Sequence, residues 1–143
     1  MAIFNQLAGL PVVGCDLVFQ NYSLTLTILS GTGVLFDTGN PGTLYTPPGV
    51  LNPTAAGGVV GSAGLAMENI LPGKTGKVRI FGGFVGIANA TLVPGNLVEI
   101  CDVAAHLGQV ILSTSTHEIL GKCLSSAAAG DPVLVWINPT SHN

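Results

Sequence analysis

The residue best placed to do chemistry is Asp37, within Val34-Leu35-Phe36-Asp37-Thr38-Gly39. Two apolar residues ahead of Asp-Thr-Gly suit a carboxylate that shares one proton with a symmetry mate, Thr and Gly shaping the turn that aims it. The chemistry would be peptide hydrolysis by an activated water. Ile119-Leu120-Gly121 has the hydrophobic-hydrophobic-Gly form that supports such a site. The competing reading is structural: Asp37-Thr38-Gly39-Asn40 closes a strand, with the Asp side chain bonding its own backbone. Gly39 runs into Pro41 and a proline-rich stretch, where the catalytic arrangement needs a small residue and a regular strand. That context favours the turn.

The remaining motifs are weaker. Gly73-Lys74-Thr75 would cradle phosphate only with a glycine at position 68, which is Glu68, and with a helix after it. Gly76 and an alternating stretch follow instead. Cys101, His106, His117 and Cys123 lack the closely paired spacing of zinc ligands. No serine elbow or paired-carboxylate arrangement is present. Asn21-Tyr22-Ser23 and Asn89-Ala90-Thr91 fit the glycosylation sequon, but no basic segment precedes an apolar stretch to support export. The sequence therefore predicts no catalysis, no cofactor and no metal.

What must position these residues is a chain of 143 residues, one domain by length. Charged residues make up only 8%, against about 25% in ordinary soluble domains. Mean hydropathy is +0.61. A membrane span needs about 18 to 20 consecutive apolar residues, and the best stretch, Ala55–Met67, is short and interrupted by four glycines and a serine. Aromatic girdles are also missing from the strand-like segments. What is left is a chain whose surface is largely covered by neighbours, so self-association is expected. The net charge of −3 and the lack of a basic run argue against nucleic acid. Lys74, Lys77 and Arg79, the one basic cluster, read as a solvated strand edge. Cys15, Cys101 and Cys123, odd in number and scattered, read as buried thiols.

Along the chain, residues 1–15 form an apolar arm that packs either on a neighbour or on its own domain. Asp16–Ser30 alternates, with Leu24, Leu26 and Ile28 on one face. Thr38–Gly58 is a long Pro/Gly-rich loop in which regular strand is not expected. Val59–Ile70, Lys77–Phe81, Gly82–Ala90, Leu97–Cys101, Gln109–Leu112, Ile119–Leu124 and Val133–Ile137 follow as short strands, with one helical turn at Val103–Leu107. The predicted fold is all-β, a compact sandwich or barrel over residues 16–143.

The pattern repeats. Gly64, Gly73, Val78 and Ile80 recur 57 residues later as Gly121, Gly130, Val135 and Ile137. Gly33–Asp37 and Gly95–Glu99 match at an offset of 62. Two related β units, over roughly 31–80 and 93–137, are therefore expected.

Ile119-Leu120-Gly121-Lys122 followed by Ala127-Ala128-Ala129-Gly130-Asp131 and Val133-Leu134-Val135 resembles a family of small tailed-phage head proteins. Gly64–Ile70 with Gly73–Val78 is similar to its central segment. Pro94-Gly95-Asn96-Leu97-Val98 is similar to its Gly-Asp-x-Val turn, with Asn96 in place of the acid. The likeness spans Asp16–Pro139. It implies a capsid decoration (cement) protein: β-rich, homotrimeric, made in the host cytoplasm and seated on the outer capsid surface against the major capsid protein. Candidate contacts are Phe4, Leu7 and Leu10 in the arm, and Tyr45, Pro47, Pro48 and Leu51 in the proline loop. The alternatives are a retropepsin-like aspartic protease using Asp37 and a phage tail or baseplate β module.

Overall fold

Alternation and glycine placement produce nine strands among residues 14–53, 61–114 and 118–140, which the computed structural model describes. They are β1 (Gly14–Asn21), β2 (Gly33–Asp37), β3 (Gly49–Leu51), β4 (Ser62–Ala66), β5 (Thr75–Ile87), β6 (Leu97–Ile100), β7 (Val110–Leu112), β8 (Ile119–Cys123) and β9 (Pro132–Thr140). A single 3-10 turn, Ala104–His106, sits where one helical turn is expected. The fold is all-β.

The strands hydrogen-bond in the order β1-β3-β2-β4-β5-β9-β8-β6-β7, and β1 also pairs with β5. That last pairing closes the first five strands into a barrel. The second set shares β5 and returns on itself through one parallel bridge, Ala88↔Val110. Strand β5 runs unbroken for 13 residues, across the glycines that predict two separate strands. Gly82 has φ +100°, open to glycine because no Cβ meets the backbone. The strand continues through it, and it faces both Gly14 of β1 and Ile137 of β9.

The two units share their register. Leu65 faces Arg79 and Ala66 faces Val78; 57 residues on, Lys122 faces Trp136 and Cys123 faces Val135. Gly33 and Val34 face Leu65 and Gly64, as Leu97 and Val98 face Lys122 and Gly121. The true offset of β2 to β6 is therefore 64 and not 62, so Asp37 and Glu99 are not equivalent. The Ile28↔Ile70 bridge recurs as Leu92↔Ala127. Both units need glycine at one crossing: a Cβ on Gly64 would lie 2.0 Å from the Arg79 carbonyl oxygen, and one on Gly121 would lie 1.9 Å from that of Trp136.

The buried sets correspond too. Ile28, Val34, Val50, Ala66 and Val78 centre one core; Leu92, Val98, Val110, Cys123 and Val135 occupy the matching places in the other. Volumes trade across one contact. A Cβ on Gly76 would fall 2.5 Å from Ile70 Cγ1, whereas the second unit pairs the small Ala127 with the larger Val133.

Two stretches depart from the sequence reading. Ser23–Leu29 is not strand, because side chains bond the backbone first. Asn21 Nδ2 donates to the carbonyls of Leu26 (2.7 Å) and Ile70 (2.9 Å), and Ser23 Oγ accepts from the Leu26 N–H at 2.9 Å. Leu24 and Leu26 are consequently exposed, and only Ile28 is buried. Within the proline loop, Gly49–Leu51 does form a strand, parallel to β1 and antiparallel to β2. Pro47-Pro48 ends just before it and Pro53 comes after, leaving three residues whose N–H groups are free to pair.

Two stability measurements follow. Gly121→Ala should cost several kcal/mol in urea denaturation, because its new methyl meets backbone that cannot yield, whereas Gly130→Ala, at φ +88° in open space, should cost only about 1–2 kcal/mol. Gly76→Val and Ile70→Ala should each destabilise, by roughly 1–3 and 2–5 kcal/mol. Together they rebuild the arrangement of the second unit, so the double variant should lose at least about 0.5 kcal/mol less than the sum.

Candidate interaction surface

The proline loop is a braced finger. Asp37, at the end of β2, accepts from the Gly39 N–H at 3.0 Å through Oδ1 and from Asn40 Nδ2 at 2.8 Å through Oδ2. The Gly49 N–H donates back to the Asn40 carbonyl at 2.8 Å. Further out, Thr43 Oγ1 accepts from the N–H groups of Tyr45 and Thr46, both at 3.2 Å. Tyr22 Oη donates to the Pro47 carbonyl at 3.3 Å, fastening the root to the first unit. Both oxygens of Asp37 are thus engaged in shaping its own turn. Ile119-Leu120-Gly121 lies in β8 of the second unit, with Leu120 in that unit's core.

The bracing presents two apolar side chains outward. Leu44 is 89% exposed and Tyr45 90%. Among the predicted contacts, Tyr45 is at the tip, Pro47 and Pro48 are half-buried at the root, and Leu51 lies on β3. Leu51 lines a cleft of about 280 Å³ with Tyr22, Leu26, Asp37, Asn40 and Asn52. Phe4, Leu7 and Leu10 lie outside the described residues.

A second apolar surface went unread in the sequence. Phe81 and Trp136 meet edge to face, centroids 5.5 Å apart. Trp136 lines an open groove of about 280 Å³ with Leu97, Ile119, Lys122, Leu124 and Asn138. The alternation that buries Val135 and Ile137 puts Trp136 on the opposite face, so the signal was available.

Arg79, expected in solvent, is buried. Its guanidinium is held by Asp16 through Nε and Nη2, donates to the Gly83 carbonyl at 2.7 Å through Nη1, and lies 5.8 Å from the centre of the Phe84 ring. This leaves Lys74 and Lys77 exposed in that cluster, too little for a phosphate-binding stripe. No group of three or more His, Cys, Asp or Glu among the described residues could hold a metal ion. No helix among them is long and apolar enough to cross a membrane. Asn21 and Asn89 both bond through their side chains, Asn89 to Cys101 Sγ at 3.4 Å.

The sheet arrangement is known elsewhere. One solved structure it resembles is the N base of the head fiber gp8.5 of bacteriophage phi29. The match covers 87% of this chain and 93% of that one, with a TM-score of 0.58 and 13% sequence identity. At that identity the likeness is one of fold. No family model matches the sequence, and no curated protein matches it.

The cysteines divide by place in the fold. Cys101 and Cys123 are buried, but Cys15 is exposed, because it precedes the buried part of β1. Burial pushes the Cys123 thiol up, partly offset by the hydrogen bond it donates to the Ser125 carbonyl at 2.8 Å. A raised folded value means that the thiol adds stability below its unfolded pKa, which is lost as pH climbs through the alkaline range. Under native conditions an aromatic disulfide reagent should label Cys15 quickly, with Cys101 and Cys123 reacting only on unfolding. Rapid labelling of all three at neutral pH would contradict the buried placement.

Proposed function

We propose that this chain is a structural protein of a phage head. It sits on the outer capsid surface, binds the major capsid protein and stabilises the shell as a decoration protein. The observation that carries the reading is the likeness in fold to the base of a phage head fiber, over most of both chains. The tailed-phage resemblance of the glycine and alanine segments points the same way. Physics agrees: charge is scarce, and the exposed Leu44 and Tyr45 stand on a braced loop. A rigid finger tipped by Leu44 and Tyr45 loses little conformational entropy on docking. Many copies, each with a modest interface, would hold a shell through avidity. Self-association as a homotrimer completes the proposal, with the Trp136 groove and the finger as its two apolar faces.

The role is non-enzymatic. Asp37 is the one residue in a protease-like setting, and its carboxylate is committed to the Gly39 N–H and the Asn40 side chain.

Light scattering of the purified chain, followed by sedimentation with purified shells, tests the reading. A trimer that co-sediments at saturating, symmetric stoichiometry is expected. Leu44→Ser with Tyr45→Ser should weaken shell binding by at least tenfold while leaving the unfolding midpoint unchanged. A dimer or monomer that ignores shells, or that binds tails instead, would overturn the proposal.

A further inference from the structure

The first half of the chain is almost without charge. Only two charged side chains, Asp16 and Asp37, precede Glu68. Asp16 is held by the buried Arg79 guanidinium, and Asp37 by the Gly39 N–H and the Asn40 side chain. The connections between β1, β2 and β3 therefore present apolar, hydroxyl and amide groups alone.

Two of those connections are longer than their counterparts in the second unit. From Phe36 to Val50 the chain advances 14 residues, and from Ile100 to Val110 only ten. From Asn21, which faces Val50, to Ile28 it advances seven. From Ala88, which faces Val110, to Leu92 it advances four. The first insertion is the finger; the second is the loop over residues 22–27.

Both insertions are braced by the same turn. Ser23 Oγ accepts from the N–H groups of Thr25 at 3.3 Å and Leu26 at 2.9 Å, as Thr43 Oγ1 accepts from those of Tyr45 and Thr46. In each, the residue after the hydroxyl is a leucine turned to solvent. Leu24 is 93% exposed, and with Leu44 and Tyr45 it makes the three most exposed large apolar side chains among the described residues. Tyr22 stands between the two insertions. Its hydroxyl donates to the Pro47 carbonyl, and a Cβ on Gly49 would fall 2.9 Å from Tyr22 Cδ2. On the other side of the loop, Asn21 joins the carbonyls of Leu26 and Ile70. Past Ile70 and just before it lie Glu68, Lys74 and Lys77, all exposed.

A surface without ionisable groups offers nothing to compensate a charge buried against it. It fits a partner that is itself neutral at the contact, apolar at its centre and lined by hydroxyl or amide groups at its rim. Two braced tips on one root also lose little freedom when a single rigid body takes both.

We propose that the loop over residues 22–27 and the finger form one two-pronged docking surface. Its occupant is a neutral, apolar patch on the shell protein, which takes Leu24 together with Leu44 and Tyr45. The inference rests on the phage-head reading and adds to it a second contact element and the chemistry of the partner surface.

Sedimentation of the full chain with purified shells tests it. Leu24→Ser with Leu26→Ser should weaken binding by at least tenfold without moving the unfolding midpoint. Val103→Ser, which alters an exposed apolar residue of the second unit, should change it less than twofold. Affinity of the unaltered chain should shift by less than about threefold between about 0.05 M and 0.5 M salt. On a Cys15→Ser background, shells should shield Leu24→Cys several-fold from a thiol reagent. Full-strength binding by the folded double variant, or an unshielded Leu24→Cys in the bound state, would overturn the two-pronged surface and leave the phage-head reading standing. A tenfold loss of affinity with salt would overturn the neutral partner. No binding by the unaltered chain would overturn both readings together.

Discussion

One strand is hydrogen-bonded into both β units, and the rest of the structure depends on that sharing. The first half of β5 pairs with β1 and β4, and its second half pairs with β9. Neither unit can slide along β5 without disturbing the other, because a one-residue slip would turn every buried side chain outward. Gly82, at φ +100°, sits at the changeover. The Gly33–Ile100 contact and the Leu65 side chain then fix how the units meet. The cores are consequently coupled through both hydrogen bonds and packing.

Within that frame the same positions are filled by different means. Val34 and Val98, Val50 and Val110, and Val78 and Val135 keep both type and place. Ile70 with Gly76, against Ala127 with Val133, keeps volume while changing type. The Arg79 position is the sharpest divergence. In one unit it is a buried cation that needs Asp16, Gly83 and Phe84; in the other it is Trp136, partly exposed against Phe81. Burying a guanidinium needs a carboxylate and a carbonyl close by. Gly83, which stands in the second unit where Asp16 stands in the first, offers no such carboxylate.

The shared spacing of Gly64 and Gly121 was legible because both glycines answer to the same backbone geometry. Gly64 and Gly121 each leave room for a carbonyl oxygen, so both recur at one spacing. The 62-residue match failed because its glycines answer to different needs, Gly33 to the Ile100 side chain and Gly95 to a turn at φ +93°, while nothing in the backbone constrains the acids. Alternation misled at Ser23–Leu29, where the side chains of Asn21 and Ser23 take the backbone bonds a strand would need. Composition misled at Gly49–Leu51, since proline bars only the residues it occupies and their neighbours. The outward course of Trp136 was implied by Val135 and Ile137. The finger's bracing was not, because it depends on Tyr22 meeting Pro47 across the fold and on Gly49 turning back to Asn40.

The two units also differ in how much chain lies between matching strands. From Phe36 to Val50 the first unit uses four more residues than the second uses from Ile100 to Val110, although both pairs face each other in the same way. The extra length is the finger, and no strand has moved to accommodate it. The root of the finger is tied to the barrel through Tyr22 and Gln20, but its tip, Thr43 to Thr46, is held by hydrogen bonds within itself. Selection can rewrite that segment at the pace of whatever surface it meets, and an engineer could graft a foreign epitope there on a scaffold already built for insertion.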